Sequence, residues 1–369
     1  MTRVAKEHDA VNLAQGFPDF PAPEILKEAA AAAIRADVNQ YAITWGAPSL
    51  RRALAKKYAA LHGMDVDPER EITVTCGATE AMAAVMLAMI DPGDEVIILE
   101  PFYENYGPDA ILCAASPVFA TLEAPGYRLE RAQLESLVSS RTKAIALNTP
   151  NNPMGRVFDR DELQGVADLC IEHDLVAITD EIYEHILYRG RHVPLATLPG
   201  MAERTVTVSG LSKTFSITGW RVGTIVAPPD LTDAIRKVHD FLTVGSPAPL
   251  QEACAVGLER LGPDYYASLA TGYAERGEVL LAALRAAGFR CRAPEGAYYI
   301  LADFSDLSDE DDTAFAKRLA REAGVASVPG SSFFSVRERG ASLVRFAFCK
   351  KLETLREAGD RLRRFADRS

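Results

Sequence analysis

An α/β fold with a mostly parallel central sheet wrapped by helices, plus a smaller α+β domain, is what this sequence predicts. Three observations carry that expectation. From about residue 30 to 255, short apolar runs such as Glu95-Val96-Ile97-Ile98-Leu99 alternate with helical stretches such as Asp161 to His173, as strands joined by crossover helices do. Tyr265 to Ala287 then reads as one long helix leading away, and shorter mixed elements follow it. A length of 369 residues also exceeds one ordinary core, so two domains are expected, with the boundary between 264 and 265.

Taken in order, Ala29 to Ala33 is simply good helix former. Glu71-Ile72-Thr73-Val74-Thr75 reads as a strand. Gly77 and the helix formers Thr79 to Ile90 come next, so a helix N-terminus after a glycine turn offers free N–H groups to an anion. Thr142 to Leu147 is a buried strand ending in the turn Asn148-Thr149-Pro150-Asn151-Asn152-Pro153-Met154-Gly155, where ligands gather in open α/β sheets. Leu175 to Thr179 is another, ending in Asp180-Glu181-Ile182-Tyr183. Val206-Thr207-Val208 and Val222 to Val226 flank Ser209-Gly210-Leu211-Ser212-Lys213-Thr214-Phe215 and Trp220-Arg221. Beyond the long helix come Ala297 to Ala302, a helix over Thr313 to Ala323, and the alternating strand Leu343 to Phe348. Arg345 lies in that last strand, where a charged side chain is expected to face water.

Chemistry concentrates at the strand ends. Lys213 stands among small residues near one of them, where a partly desolvated amine loses its proton readily and can bond a carbonyl. Arg221, eight residues on, can grip a phosphate with two parallel bonds. Together they look like a pyridoxal-phosphate site. A carboxylate at an apolar strand end needs a positive partner, and a pyridinium N–H is one for Asp180. Asn152 and Tyr183 can donate to the phenolic oxygen of the same ring. Singly, each has a plainer reading: Lys213 and Arg221 as surface charges, Asn152 as a turn residue, Asp180 as a helix N-cap, Tyr103 as core. Their joint order favours the site.

With these segments in place, the chain resembles the fold-type I, class I/II aminotransferases, and within them the kynurenine–oxoglutarate and methionine/glutamine transaminases. The resemblance spans nearly the whole chain. It includes Asn12 to Pro21, Asn39-Gln40-Tyr41, Cys76 to Ala81, Glu100-Pro101-Phe102-Tyr103, the Asn152 and Asp180 segments, Ser209 to Arg221 and Val344-Arg345-Phe346. It implies that Lys213 holds the cofactor's aldehyde covalently and later shuttles the proton. Asp180 would pair with the pyridine nitrogen, and Asn152 and Tyr183 would bind the phenolic oxygen. Tyr103 would stack on the ring. The phosphate would lie on the Gly77-Ala78-Thr79 segment, on Ser212 or Ser209, and on Arg221. Tyr41 would reach the phosphate of a partner subunit, making a homodimer with shared active sites. Arg345 would clamp the substrate carboxylate beside Asn152, Gly16 and Phe17. The resemblance also puts residues 1–24 with 265–369 in the small domain and 25–264 in the large one.

It implies ping-pong transfer of an amino group from an L-amino acid to a 2-oxo acid. Phe17, Tyr41, Trp45 and Tyr103 suggest aromatic or sulfur-containing donors, with glutamine also in range. A cysteine-conjugate β-lyase would use the same site, and a non-catalytic ligand sensor is the rival from another class. Two departures stand out. Gly210 occupies the position three before the lysine where relatives often have serine. The stretch ahead of Gln15 is short, so a shortened start is expected.

A net charge of −11 argues against nucleic acid or an anionic membrane as partner. Six cysteines lack any C-x-x-C spacing, which points to reduced thiols in a cytoplasmic protein rather than to zinc or disulfides. Met1 to Val11 has no apolar stretch of the signal-peptide kind. The longest apolar run, Ala81 to Ile90, is too short to span a bilayer. His185 with Glu181 has no third ligand, so no metal is expected. G-x-G-x-x-G and Walker-type loops are missing, which weakens dehydrogenase and nucleotide-hydrolase readings.

Overall fold

The computed structural model describes residues 1–367. Its strands, in chain order, are β1 (Val11–Asn12), β2 (Ile72–Thr75), β3 (Glu95–Glu100), β4 (Ser116–Thr121), β5 (Thr142–Asn148), β6 (Val176–Asp180) and β7 (Thr205–Gly210). They continue with β8 (Gly223–Val226), β9 (Arg290–Cys291), β10 (Tyr299–Asp303), β11 (Val325–Ala326), β12 (Val328–Pro329) and β13 (Leu343–Ala347). The main sheet runs β2-β8-β7-β6-β5-β3-β4. Its members are parallel except β8, which pairs antiparallel with β2 and β7. This is the α/β, mostly parallel sheet the alternation implies.

The apolar runs become interior strands because both sheet faces are covered by helices. Every residue of β3 is buried, and Val96, Ile97 and Ile98 are fully so, each contributing about 1.5–3 kcal/mol relative to exposure. Helix Gly77–Met89 covers one face, with Ala81, Val85 and Met86 inward. Helix Arg160–Glu172 covers the other, with Leu163, Val166 and Leu169 inward. A capping box starts the latter: Asp159 accepts from the N–H of Glu162 while Glu162 accepts from that of Asp159. Arg156 grips Glu162 at 2.6 and 2.7 Å, which ties the turn after β5 to this helix.

The second sheet, β12-β13-β10-β9, is antiparallel. Val344 and Phe346 face its core together with Tyr298, Phe315 and Leu362. The long helix is Pro263–Ala286. The expected helix over Thr313 to Ala323 is an α-helix over Asp312–Arg318 that widens into a π-turn at Leu319–Ala323 and stops at Gly324, φ +66°. Near the chain start, β1 pairs parallel with β11, and Leu13 O accepts from Ala347 N at 2.7 Å. That pairing brings Ala14 to Phe17 beside the second sheet. Among the described residues, no helix is long and apolar enough to cross a membrane.

Candidate active site

The carboxyl ends of the parallel strands converge on one cavity of about 630 Å³. Its position follows from topology. Helix Gly77–Met89 starts two residues after β2, Asn148 ends β5 and Asp180 ends β6 side by side, and Lys213 follows β7. Because β8 runs antiparallel, with Gly223 opposite Gly210, the chain returns to the same end, and Arg221 falls opposite the helix start.

Asp180 is buried. Its Oδ2 accepts from the Tyr106 hydroxyl at 2.6 Å and its Oδ1 from Ile182 N at 3.2 Å. Burial raises its carboxyl above the ordinary value, opposed by those two bonds and by the Lys213 charge. No ion pair reaches it among the described residues. A buried carboxylate so placed has room for a cationic partner, and a pyridinium N–H would fit it. Lys213 is half-buried, and its Nζ lies 3.3 Å from Gly16 O. Burial, foremost, lowers its amine to about 8, with Arg221 and Arg345 adding to the shift and Cys349 and Asp180 opposing it.

At the other end, Gly77 has φ +83°, and a Cβ there would lie 2.2 Å from Arg221 Nη2. The guanidinium therefore occupies the space that a side chain would fill, packed against a helix start whose N–H groups have no partner above them. That cradle suits a phosphate. Ala78, Thr79, Ser212, Arg221 and Tyr103 all line the cavity. Ser209 does not: it is buried, and its hydroxyl donates to Glu184 Oε1 at 3.1 Å. Alternation along β7 turns it to the opposite side, so Ser212 is the serine at the cavity.

Arg345 corrects one expectation. It is only 6% exposed, because β13 is an interior strand of its sheet and the turn carrying Asn152, the segment at Ala14 and the rings of Tyr299 and Phe333 enclose the side chain. Nη1 donates to Asn152 Oδ1 at 2.8 Å and Nη2 to Ala14 O at 2.9 Å. The guanidinium lies 4.4 Å over Tyr299 and 4.9 Å over Phe333, and Nε is buried without a partner. Since Asn152 accepts through its oxygen, its NH₂ is the free half of the amide. Tyr183 bonds Tyr299 hydroxyl to hydroxyl at 3.0 Å. Gly16 and Phe17 complete this wall.

Two expected pocket residues lie elsewhere. Tyr41 is 86% exposed and lines a second cavity with Cys76, Val244 and Pro247. Trp45 lies under Arg236, 4.9 Å from ring to guanidinium. Glu181, paired in sequence with His185, instead takes His192 at 2.7 Å, and no group of three or more metal-ligating side chains forms among the described residues. Sequence reasoning missed Tyr106 and Tyr299. The only signal was spacing: Tyr106 follows Tyr103 by three, and Tyr299 shares the expected strand with Tyr298.

Residues 8–362 match the family described as aminotransferase class I and II. The chain is 37% identical to kynurenine–oxoglutarate transaminase 1 of Homo sapiens, over 98% of its own length and 94% of the relative's. It is 38% identical to methionine aminotransferase of Escherichia coli, with coverage of 98% and 94%. The solved N-succinyldiaminopimelate aminotransferase of Mycobacterium tuberculosis superposes with a TM-score of 0.96 at 40% identity, covering 98% of this chain and 95% of that one. Sequence and fold thus agree over essentially the whole length, and the chain belongs to the class I and II aminotransferases, enzymes that depend on pyridoxal phosphate.

Proposed function

We propose that this aminotransferase takes its amino group from an L-amino acid with an aromatic, sulfur-containing or glutamine-type side chain. The carrying observation is the count of cations in the cavity. Lys213, Arg221 and Arg345 are the side-chain cations among its lining residues, and each has a task in the common chemistry. None is left for a second carboxylate, while Phe17, Tyr299, Val328 and Pro329 line the same space. A side chain without charge fits that surface.

Pyridoxal phosphate, when bound, supplies an electron sink that makes the substrate's α-hydrogen acidic. The residues of this chain do the rest. Arg221, Ser212 and the N–H groups of Ala78 and Thr79, at the helix start opened by Gly77, hold the phosphate. Asp180 keeps the ring nitrogen protonated, Asn152 and Tyr183 donate to the phenolic oxygen, and Tyr103 covers the ring. Arg345 forks the α-carboxylate beside Gly16 and fixes the amino acid's orientation. Lys213 Nζ would anchor the aldehyde end, be released as a free amine when the substrate's amine takes its place there, and then take the substrate's α-proton and hand it back one step later. An amine titrating near 8 is suited to that exchange at neutral pH. Water would then release the 2-oxo acid by hydrolysis, its oxygen becoming the new carbonyl, and a second 2-oxo acid would take up the amino group by the reverse sequence.

Three coarser points complete the proposal. Tyr41, exposed at the second cavity, supports a homodimer in which it completes the partner's phosphate site. The six free cysteines support a cytoplasmic setting. Residues 25–264 form the cofactor-bearing domain and 1–24 with 265–369 the closing one, sharing a core at Ile182, Tyr183 and Ile186.

The test is a half-reaction scan of the holoenzyme with kynurenine, methionine, glutamine, phenylalanine and aspartate, following the cofactor spectrum and assaying oxo acids. Kynurenine, methionine, phenylalanine or glutamine should react at least about tenfold faster than aspartate, the ratio set by one unpaired buried carboxylate. Aspartate reacting fastest refutes the substrate assignment.

A further inference from the structure

Tyr299 has no task in the chemistry above, yet it touches two residues that do. Its hydroxyl lies 3.0 Å from that of Tyr183, with the rings at 88°. Its own ring lies under Arg345, its centroid 4.4 Å from the guanidinium carbon. Both tyrosines are at least nine-tenths buried. The strap through Gly16 is built around the same hydroxyl: a Cβ on Gly16 would lie 2.0 Å from it.

Proton counting fixes the direction of the bond. A phenol has one proton to give. Tyr298 spends its proton on Gly16 O at 2.7 Å. In the reading above, Tyr183 gives its own to the cofactor's phenolic oxygen, so in the Tyr183–Tyr299 bond Tyr299 must be the donor. We propose that Tyr299 is a positioning residue: its hydroxyl donates to Tyr183 and so directs the Tyr183 proton to the cofactor, while its ring holds Arg345 in place for the substrate carboxylate. The inference rests on the assignment of Tyr183 to the phenolic oxygen.

The surroundings support donation rather than titration. Arg345 from β13, Cys349 just beyond it, Asp180, Tyr298 and Lys213, whose amine lies 5.9 Å over the Tyr183 ring, are the charged and titratable groups facing the pair. Burial pushes Tyr299 up to about 12 and Tyr183 well above its ordinary value, so both keep their protons across the working range. A hydrogen bond accepted by a hydroxyl strengthens the one it donates. The Tyr183 bond favours the deprotonated, negative phenolic oxygen, and whatever strengthens it lowers the pH at which that oxygen's proton is lost.

The experiment compares holoenzymes of wild type, Tyr183→Phe, Tyr299→Phe, the double variant and Tyr299→Leu. Two quantities are read: the pH midpoint of the visible absorbance change of the lysine-bound cofactor, and KM for the amino acid. Tyr183→Phe should raise the midpoint by about one unit. Tyr299→Phe should raise it by about 0.3 unit and leave KM within about twofold, because the ring under Arg345 remains. The double variant should match Tyr183→Phe alone. Tyr299→Leu, which removes the ring, should raise KM about tenfold. If Tyr299→Phe leaves the midpoint unmoved while Tyr183→Phe shifts it, the inference fails and the Tyr183 assignment stands. If Tyr183→Phe itself has no effect, that assignment falls and the inference with it. A further rise in the double variant over Tyr183→Phe would also overturn it, since Tyr299 would then act by another route. If Tyr299→Leu folds and leaves KM within about twofold, the ring's hold on Arg345 is overturned; should it fail to fold, the Phe variants still decide the role of the hydroxyl.

Discussion

Replacing Gly77 by alanine tests the phosphate cradle more sharply than deleting Arg221 does, because it leaves every charge in place. The added methyl would sit 2.2 Å from Arg221 Nη2 and 2.6 Å from Cζ. A carbon–nitrogen contact settles near 3.5 Å, so the guanidinium must retreat by roughly 1 Å. A charged hydrogen bond does not survive such a shift. Losing one or two such bonds to phosphate, at about 1.5–3 kcal/mol in total, predicts a pyridoxal-phosphate Kd raised about 10- to 150-fold. Alanine at φ +83° also strains the backbone by about 1 kcal/mol, which could depress stability without touching the cradle. Gly63 provides the control. It is left-handed too, at φ +66°, and a Cβ there meets nothing within 4 Å. Both variants should therefore lose similar stability in thermal or urea unfolding of the cofactor-free protein. Only Gly77→Ala should lose cofactor affinity, measured by fluorescence titration. An unchanged Kd in Gly77→Ala, or an equal loss in Gly63→Ala, would refute the cradle.

The other predictions are shorter. In cofactor-free protein, Lys213 should react with an amine-modifying reagent with a midpoint near pH 8, against about 10.4 for an ordinary lysine; peptide mapping across pH 7–11 measures it. Because this folded value lies below the unfolded one, the fold binds fewer protons than the unfolded chain between the two. Lys213 therefore costs the cofactor-free fold stability at neutral pH, and the cost fades as pH rises through that window. Arg345→Lys should raise KM for amino acids by about tenfold or more, since an ammonium cannot make the paired bonds of the guanidinium, while cofactor affinity stays unchanged. Tyr106→Phe removes the 2.6 Å bond to Asp180 and should lower cofactor affinity about three- to tenfold, with no change in KM beyond about twofold.

Much of this architecture was written in local patterns, and the exceptions have physical causes. The strands of the main sheet announce themselves as continuous apolar runs because both faces are buried, and the site follows from where those runs end. Arg345 misled because its strand alternates like one with a wet face; its side chain is in fact enclosed by Asn152 and Ala14, long-range contacts that no window of sequence contains. Ser209 was a candidate because one-dimensional distance to Lys213 does not tell which way a strand residue points, and alternation carried it to Glu184. Trp45 was grouped with the pocket on chemical type alone. Tyr106 and Tyr299 escaped because a buried tyrosine looks the same in sequence whether its hydroxyl serves the core or a carboxylate.

The reversed strand β8 carries a mechanical consequence. Lys213 and Arg221, proposed above as the two moorings at opposite ends of one small molecule, both hang from a single return of the chain whose ends are clamped by the Gly210–Gly223 pairing. Their separation is thus set by a ladder of backbone hydrogen bonds, not by packing between independent parts. An inserted residue between the two moorings would be absorbed by the span itself, so this loop should tolerate changes of residue type far better than changes of length.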